Sequence, residues 1–244
     1  MTAFFHTILY IPLYNLLVFL ISITPGADVG VAVIGATLVV KLILLPLSLS
    51  AARTQKAMKA IEPELKVLRE KYKDDKEKQA KEMFALYATY KIKPFSSFLS
   101  ILIQLPVFIS LYWVFRTQSL PHIDETILYS FVHAPTAIAS TVFLGLISVT
   151  GHSIILAVAA GLTQLAQAWY SIPVPPASAE VGGSPGEDFA RAMTMQARYV
   201  LPVIIGFVAY SSGALALYLV TSNFVALAQE FAVRQGKQTV PKAA

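Results

Sequence analysis

The 244 residues carry a net charge of +5 and are 56% hydrophobic but only 14% charged. Soluble domains hold about 25% charged residues, so a soluble enzyme or nucleic-acid binder is excluded and a multi-spanning membrane protein is expected. The absence of cysteine rules out disulfides, thiolate metal sites and a lipid-bearing Cys.

The first apolar segment, "FFHTILYIPLYNLLVFLIS", is long enough to cross a bilayer. Pro12, Asn15 and the spaced His6, Tyr10 and Tyr14 favour instead a helix lying in the outer interface, residues 1–28, with an extra span as the alternative. It lacks the basic start and small-residue cleavage site of a signal peptide.

Residues 29–50 read as the first core span and contain Lys41. An ammonium at such depth costs ~2.5–3.5 kcal/mol on insertion scales, so water or an anion must reach it. Thr37 lies one turn away on the same face. No acid lies deep in another span to pair with Lys41, because Glu230 falls near a helix end.

Residues 51–93 hold twelve of the nineteen Lys and Arg residues against seven acids. The positive-inside rule places this insert in the cytoplasm. Met58, Ile61, Leu65, Leu68 and Tyr72 recur at steps of three and four, and Ala80, Met83, Tyr87 and Tyr90 repeat the pattern. Asp74 and Asp75 stand between the stripes as stop and cap, and Pro63 suits a first helical turn. The pattern predicts an antiparallel helical hairpin. Met58, Ile61, Leu65, Lys71, Met83 and Tyr87 are its candidate substrate or partner contacts, a solvated spacer being the plainer alternative.

The second core span is 94–116, with Ser97, Ser100 and Gln104 as a polar stripe; an external, partly membrane-touching loop follows over 117–151. The third core span, 152–172, carries Gln164 and Gln167. Residues 173–196, rich in Pro and Gly, read as a flexible cytoplasmic loop. Residues 199–229 would make a helix of about 46 Å, too long for one span, so "SSG" at 211–213 divides 197–233 into a fourth and a fifth core span. Tyr218, Ser222 and Asn223 supply polar groups to the last, and 234–244 is a cytoplasmic tail. The fourth span, taken as 199–211, has 13 residues, about 20 Å, short enough to thin the surrounding bilayer. With five core spans every Lys and Arg except Lys41 and the boundary residue Arg116 falls on one side. Trp113, Trp169 and Tyr112 suit packing or interface anchoring.

The run "VVKLILLPLSLSAARTQKAMKAIEPELKVLREKYKDDKEKQAKEMFALYATYKIKPF", followed by "LIQLPVFISLYWVF", "FLGLI" and "ALYLVTSNFVALAQE", strongly resembles the YidC/Oxa membrane-protein insertases over roughly residues 10–235. The likeness is to a bacterial form without the large external domain of some relatives. It implies an all-α integral membrane protein with five core helices around a hydrophilic groove, open to cytoplasm and lipid and closed outside. It implies no cofactor and no enzymatic step. The implied function is capture of hydrophobic segments of nascent membrane proteins and their release into the lipid of the bacterial inner membrane. The Sec translocon, the signal recognition particle receptor and the ribosome are candidate partners. Lys41, Thr37, Ser100, Gln104, Gln164, Gln167, Tyr218, Ser222 and Asn223 become the candidate groove residues.

Two departures stand out. The family usually has arginine where this chain has Lys41, which keeps the cation but loses the bidentate fork. A "NPLGGC"-like start of the next span reads "KPFSSF" here, residues 93–98. Three rival functions are weaker. An anion transporter or channel lacks any visible inverted repeat. An intramembrane enzyme lacks a nucleophile or metal set, since His6, His122, His133 and His152 have no ligand spacing. A passive assembly subunit would need no groove.

Overall fold

The computed structural model describes residues 5–92, 96–117, 123–135, 140–172 and 192–235, with the backbone alone for 96–104 and 116–117. The described chain is an all-α integral membrane protein. Four of its helices are long and apolar enough to cross a bilayer: His6–Ile23, Ile154–Ser171, Ala192–Tyr210 and Gly213–Gln235. Val29–Ile43 and Leu45–Ala60 add a fifth if that broken pair is one span. Two compact units make up the chain, 1–43 with 105–227 and 44–104 with 228–244.

In the first unit, α1 (Ile11–Ile23) continues a π-helical turn over His6–Tyr10 and buries Tyr14, Leu17, Val18 and Ile21. Two of its polar residues reach a distant segment. Asn15 donates to the carbonyls of Ile11 and Ile127, both at 2.9 Å, and accepts from the Tyr129 amide at 2.6 Å. The Tyr14 hydroxyl accepts from the Asp124 amide at 2.8 Å. These bonds fasten mid-α1 to residues 124–129.

The helix α2 (Val29–Ile43) is capped by Asp28, whose Oδ1 accepts from the Gly30 and Val31 amides at 2.7 and 3.1 Å. Sequence reading treats 29–50 as continuous. The helix instead breaks at Leu44 (φ −85°, ψ −1°) and resumes as α3 (Leu45–Ala60). Pro46 is the physical cause, because it has no N–H to offer the carbonyl four residues back, Leu42.

After α6 (Ser96–Thr117), the chain forms a short hairpin of β1 (Val142–Phe143) and β2 (Ile147–Ser148), Val142 opposite Ser148 and Phe143 opposite Ile147. It then enters α7 (Ile154–Ser171), started by the Ser153 hydroxyl accepting from Leu156 N at 3.3 Å. Next comes a helical stretch from Ala192, π-helical over Gln196–Val200, that becomes α8 (Leu201–Tyr210). Helices α7 and α8 pack backbone to backbone at two glycines: a Cβ on Gly161 would lie 3.4 Å from Pro202 O and 3.6 Å from Gly206 Cα. Small residues at a crossing allow that approach where no hydrophobic effect drives helices together. The chain ends its described part in α9 (Gly213–Gln235).

The helix that carries the expected fourth span, 199–211, begins earlier than that span and runs 19 residues, Ala192–Tyr210, about 28 Å at 1.5 Å per residue. Arg198 lies within this helix, its guanidinium donating to the Ile172 carbonyl at 2.9 Å.

In the second unit, α4 (Glu62–Lys71) starts with Pro63 in its first turn, and α5 (Lys76–Thr89) starts at Asp75, whose Oδ1 accepts from Lys78 N at 3.0 Å. Ile61, Leu65, Tyr87 and Ile92 form the buried core of this hairpin, with Met58, Met83, Leu86 and Tyr90 packed around it. Helix α5 closes with Ile92 N on Tyr87 O at 2.8 Å and Lys91 N on Ala88 O at 3.0 Å. That is a Schellman ending, with Lys91 in the left-handed region at φ 51°.

Candidate functional site

Lys41 stands in the last turn of α2 and is half-buried. The break at Leu44 puts its ammonium at the negative end of a helix rather than in mid-helix, where a cation is favoured. No carboxylate among the described residues pairs with it; the ion pair seen there joins Arg234 to Glu230. Leu42 and Ile43 beside it are 65% and 70% exposed, as suits a helix end bordering lipid. Thr37, one turn earlier, is buried and donates to Val33 O at 2.7 Å, so its hydroxyl is satisfied within α2.

The candidate residues of α7 form a polar chain along one face. Gln164 Nε2 donates to Gln167 Oε1, and Gln167 Nε2 to Ser171 Oγ, each at 3.3 Å. Asn223 of α9 is buried and donates to Thr163 Oγ1 at 3.2 Å, joining α9 to α7. Thr163 also donates to Ala159 O at 2.8 Å. Tyr218 is buried, its ring 6.3 Å from that of Phe108 on α6, and Ser222 is buried on the same helix. The side chains of Ser97, Ser100 and Gln104 lie outside the described residues, as do 93–95, 173–191 and 236–244. The described residues thus bring together Asn223, Thr163 and the glutamine chain. No hydrogen bond joins Lys41 to them.

Three polar residues that sequence reading passed over matter here. Thr163 is the partner of Asn223, one residue from Gln164. Ser110 is fully buried and donates to Pro106 O at 2.9 Å. Asp28 closes the opposite end of α2. Besides capping, its Oδ2 accepts from Leu144 N at 2.8 Å, while Val29 N donates to Ser140 O at 3.0 Å and Ser140 N to Ala27 O at 2.9 Å. The same loop meets the start of α9: Gly213 N donates to Gly151 O at 2.8 Å and Ala214 N to Val149 O at 2.7 Å. One β-hairpin loop therefore satisfies the orphan amides of two helix N-termini. A lone Asp just before an apolar run was the available signal for the cap.

Of the hairpin candidates, Ile61, Leu65 and Tyr87 are core, Met58 and Met83 flank it, and Lys71 is exposed, its Nζ 5.2 Å from the Tyr72 ring centre. Burial pushes the Tyr87 phenol above its usual range. Tyr90 donates to Glu64, and that bond raises its phenol as well. Between α4 and α5 lies an open groove of about 470 Å³ lined by Pro63, Val67, Leu68 and Leu86, with Glu64, Glu82 and Lys71 at its rim. Among the described residues no cluster of His, Asp or Glu is arranged to hold a metal.

Residues 19–240 match the family model described as 60Kd inner membrane protein. A protein of Clostridium tetani named Membrane protein insertase YidC is 31% identical over 217 residues, 88% of this chain and 85% of that relative. A namesake from Francisella tularensis subsp. novicida is 32% identical over 215 residues, 87% of this chain but 34% of the relative's length. Another, from Actinobacillus pleuropneumoniae, is 41% identical over 104 residues, 43% of this chain and 19% of the relative. With most of its length matched, and with a multi-pass helical fold suited to a bacterial cell membrane, the chain belongs to the 60Kd inner membrane protein family.

Proposed function

We propose that this protein is a membrane protein insertase, which takes hydrophobic segments of nascent proteins and passes them into the bilayer. Family membership supports the activity, and one observation supports the mechanism: a half-buried ammonium, Lys41, with no carboxylate partner among the described residues. In this reading Lys41 sits in a wet, cytoplasm-open groove with Thr37, Gln164, Gln167, Tyr218, Ser222 and Asn223. The charge draws an acidic tail inward and shortens its path across ~30 Å of hydrocarbon. The membrane potential favours outward movement of each negative charge by ~2.3 kcal/mol per 100 mV. Partition of the apolar segment into lipid then completes the transfer without a covalent step or a cofactor.

The orientation that fits has the hairpin and the C-terminal tail in the cytoplasm and the loop over 123–151 outside. Helix α1 then lies in the outer interface. Asn15, midway along the helical stretch His6–Ile23, bonds to a loop carrying Asp124 and Glu125. A mid-bilayer Asn15 would take those carboxylates and that irregular backbone into hydrocarbon, which lipid does not tolerate. The loop's hold on the starts of α2 and α9 supports closure on that side. Met58, Lys71 and Met83 are the proposed contact residues of the hairpin, while the buried Ile61, Leu65 and Tyr87 hold the two helices that present them. The Sec translocon, the signal recognition particle receptor and the ribosome are proposed partners.

The test replaces Lys41 by Leu and by Arg and measures insertion of a short acidic-tailed substrate into proteoliposomes. Loss with Leu and retention with Arg is the expected result. Full activity of Lys41→Leu would remove the charge from the mechanism. Saturable anion flux through the intact protein would instead support a transporter.

A further inference from the structure

Arg198 Nε is the one buried side-chain polar atom without a hydrogen-bond partner among the described residues. Of the five donors of its guanidinium, Nη1 donates to Ile172 O at 2.9 Å, at the C-terminal end of α7. No carboxylate among the described residues pairs with it. The guanidinium carbon lies 5.8 Å from the Trp169 ring centre, and Tyr199 meets the same indole edge-on at 6.4 Å. Trp169 and Tyr199 are 54% and 43% exposed, so the cluster opens to the surface. It sits where α7 ends and where the next helix widens into a π-helical turn over Gln196–Val200, a local irregularity that is frequent at functional sites.

The Ile172 contact explains one donor and leaves the rest. An unsatisfied charged N–H is costly near hydrocarbon. A planar guanidinium matches the oxygens of a phosphate group, and exposed Trp and Tyr belong at headgroup level. We propose that Arg198, Trp169 and Tyr199 form a binding site for the phosphodiester of an anionic lipid headgroup. The site is distinct from the Lys41 groove. It needs only that α7 and α8 span a bilayer, and insertase activity is not part of its test.

The chain has two tryptophans, so Trp113→Phe leaves Trp169 as a single fluorescent reporter. This variant is placed in nanodiscs containing equal fractions of phosphatidylglycerol and phosphatidylcholine, one or the other brominated. Brominated phosphatidylglycerol is expected to quench Trp169 with roughly fivefold preference, the scale of one interfacial Arg on an anionic surface. Arg198→Gln should bring the preference to parity, and Arg198→Lys should leave it reduced, since charge remains without the fork. Parity in the parent overturns the proposal whether or not the Arg198 variants fold. An undiminished preference in Arg198→Gln overturns it too. Abolition of the preference by inorganic phosphate would overturn the lipid assignment in favour of a free phosphate site.

Discussion

Asp28 Oδ2 accepts a hydrogen bond from the Leu144 amide at 2.8 Å, across 116 positions of chain. Leu144 is held at φ 49°, a left-handed conformation that costs a non-glycine residue roughly 1–2 kcal/mol. The carboxylate that caps α2 therefore also holds a strained turn of the outer loop. Asp28→Ala removes both and should destabilise the protein by about 1–2 kcal/mol from the cap alone. The check is thermal unfolding in detergent. In addition, Val149→Cys, at a buried position of the same loop in this cysteine-free chain, should be labelled faster by maleimide when Asp28 is Ala.

Gly213 makes the second closure. A Cβ there would meet Ser148 O at 2.7 Å and Val149 Cα at 2.9 Å, both backbone atoms that cannot step aside. Gly213→Ala should cost roughly 1–3 kcal/mol as overpacking. Gly35→Ala is the control, since its nearest neighbour is the flexible Leu20 side chain at 3.4 Å. A larger loss of melting temperature for Gly35→Ala would contradict the argument.

In the hairpin, Lys91 occupies the position of the Schellman ending that glycine fills best. Lys91→Gly should stabilise the closing turn by roughly 0.5–1 kcal/mol, after the extra backbone entropy of glycine is set against the relief of strain. Amide hydrogen exchange over residues 83–92 should slow by roughly two- to fivefold. Unchanged or faster exchange would refute it.

Lys56 Nζ donates to Val233 O at 3.0 Å and Arg234 O at 3.2 Å, a cation on the last carbonyls of α9. Such a charge contributes about 0.3–1 kcal/mol. Lys56→Met should speed amide exchange in the final turn of α9 by roughly two- to fivefold, and Lys56→Arg should restore most of the protection.

Periodicity and composition were enough to read the helical hairpin. Its core, Ile61, Leu65 and Tyr87, falls on the stripes at steps of three and four, because residues so spaced share the helix face that the partner helix covers. The buried polar residues were legible as types but not as partners. Asn223 reads as one polar position among several on a span; that it meets Thr163 depends on how α9 crosses α7, which periodicity within one helix does not encode.

By itself the sequence determined the membrane class and the helical character, since each follows from local composition and charge against the cost of hydrocarbon. The tertiary structure alone decided three other things. Lys41 ends a helix, because Pro46 breaks the next turn. Arg198 lies within a helix and its guanidinium meets a carbonyl distant in sequence, that of Ile172. The amides that begin α2 and α9 share one β-hairpin loop, since orphan backbone groups find partners by proximity in space, not along the chain.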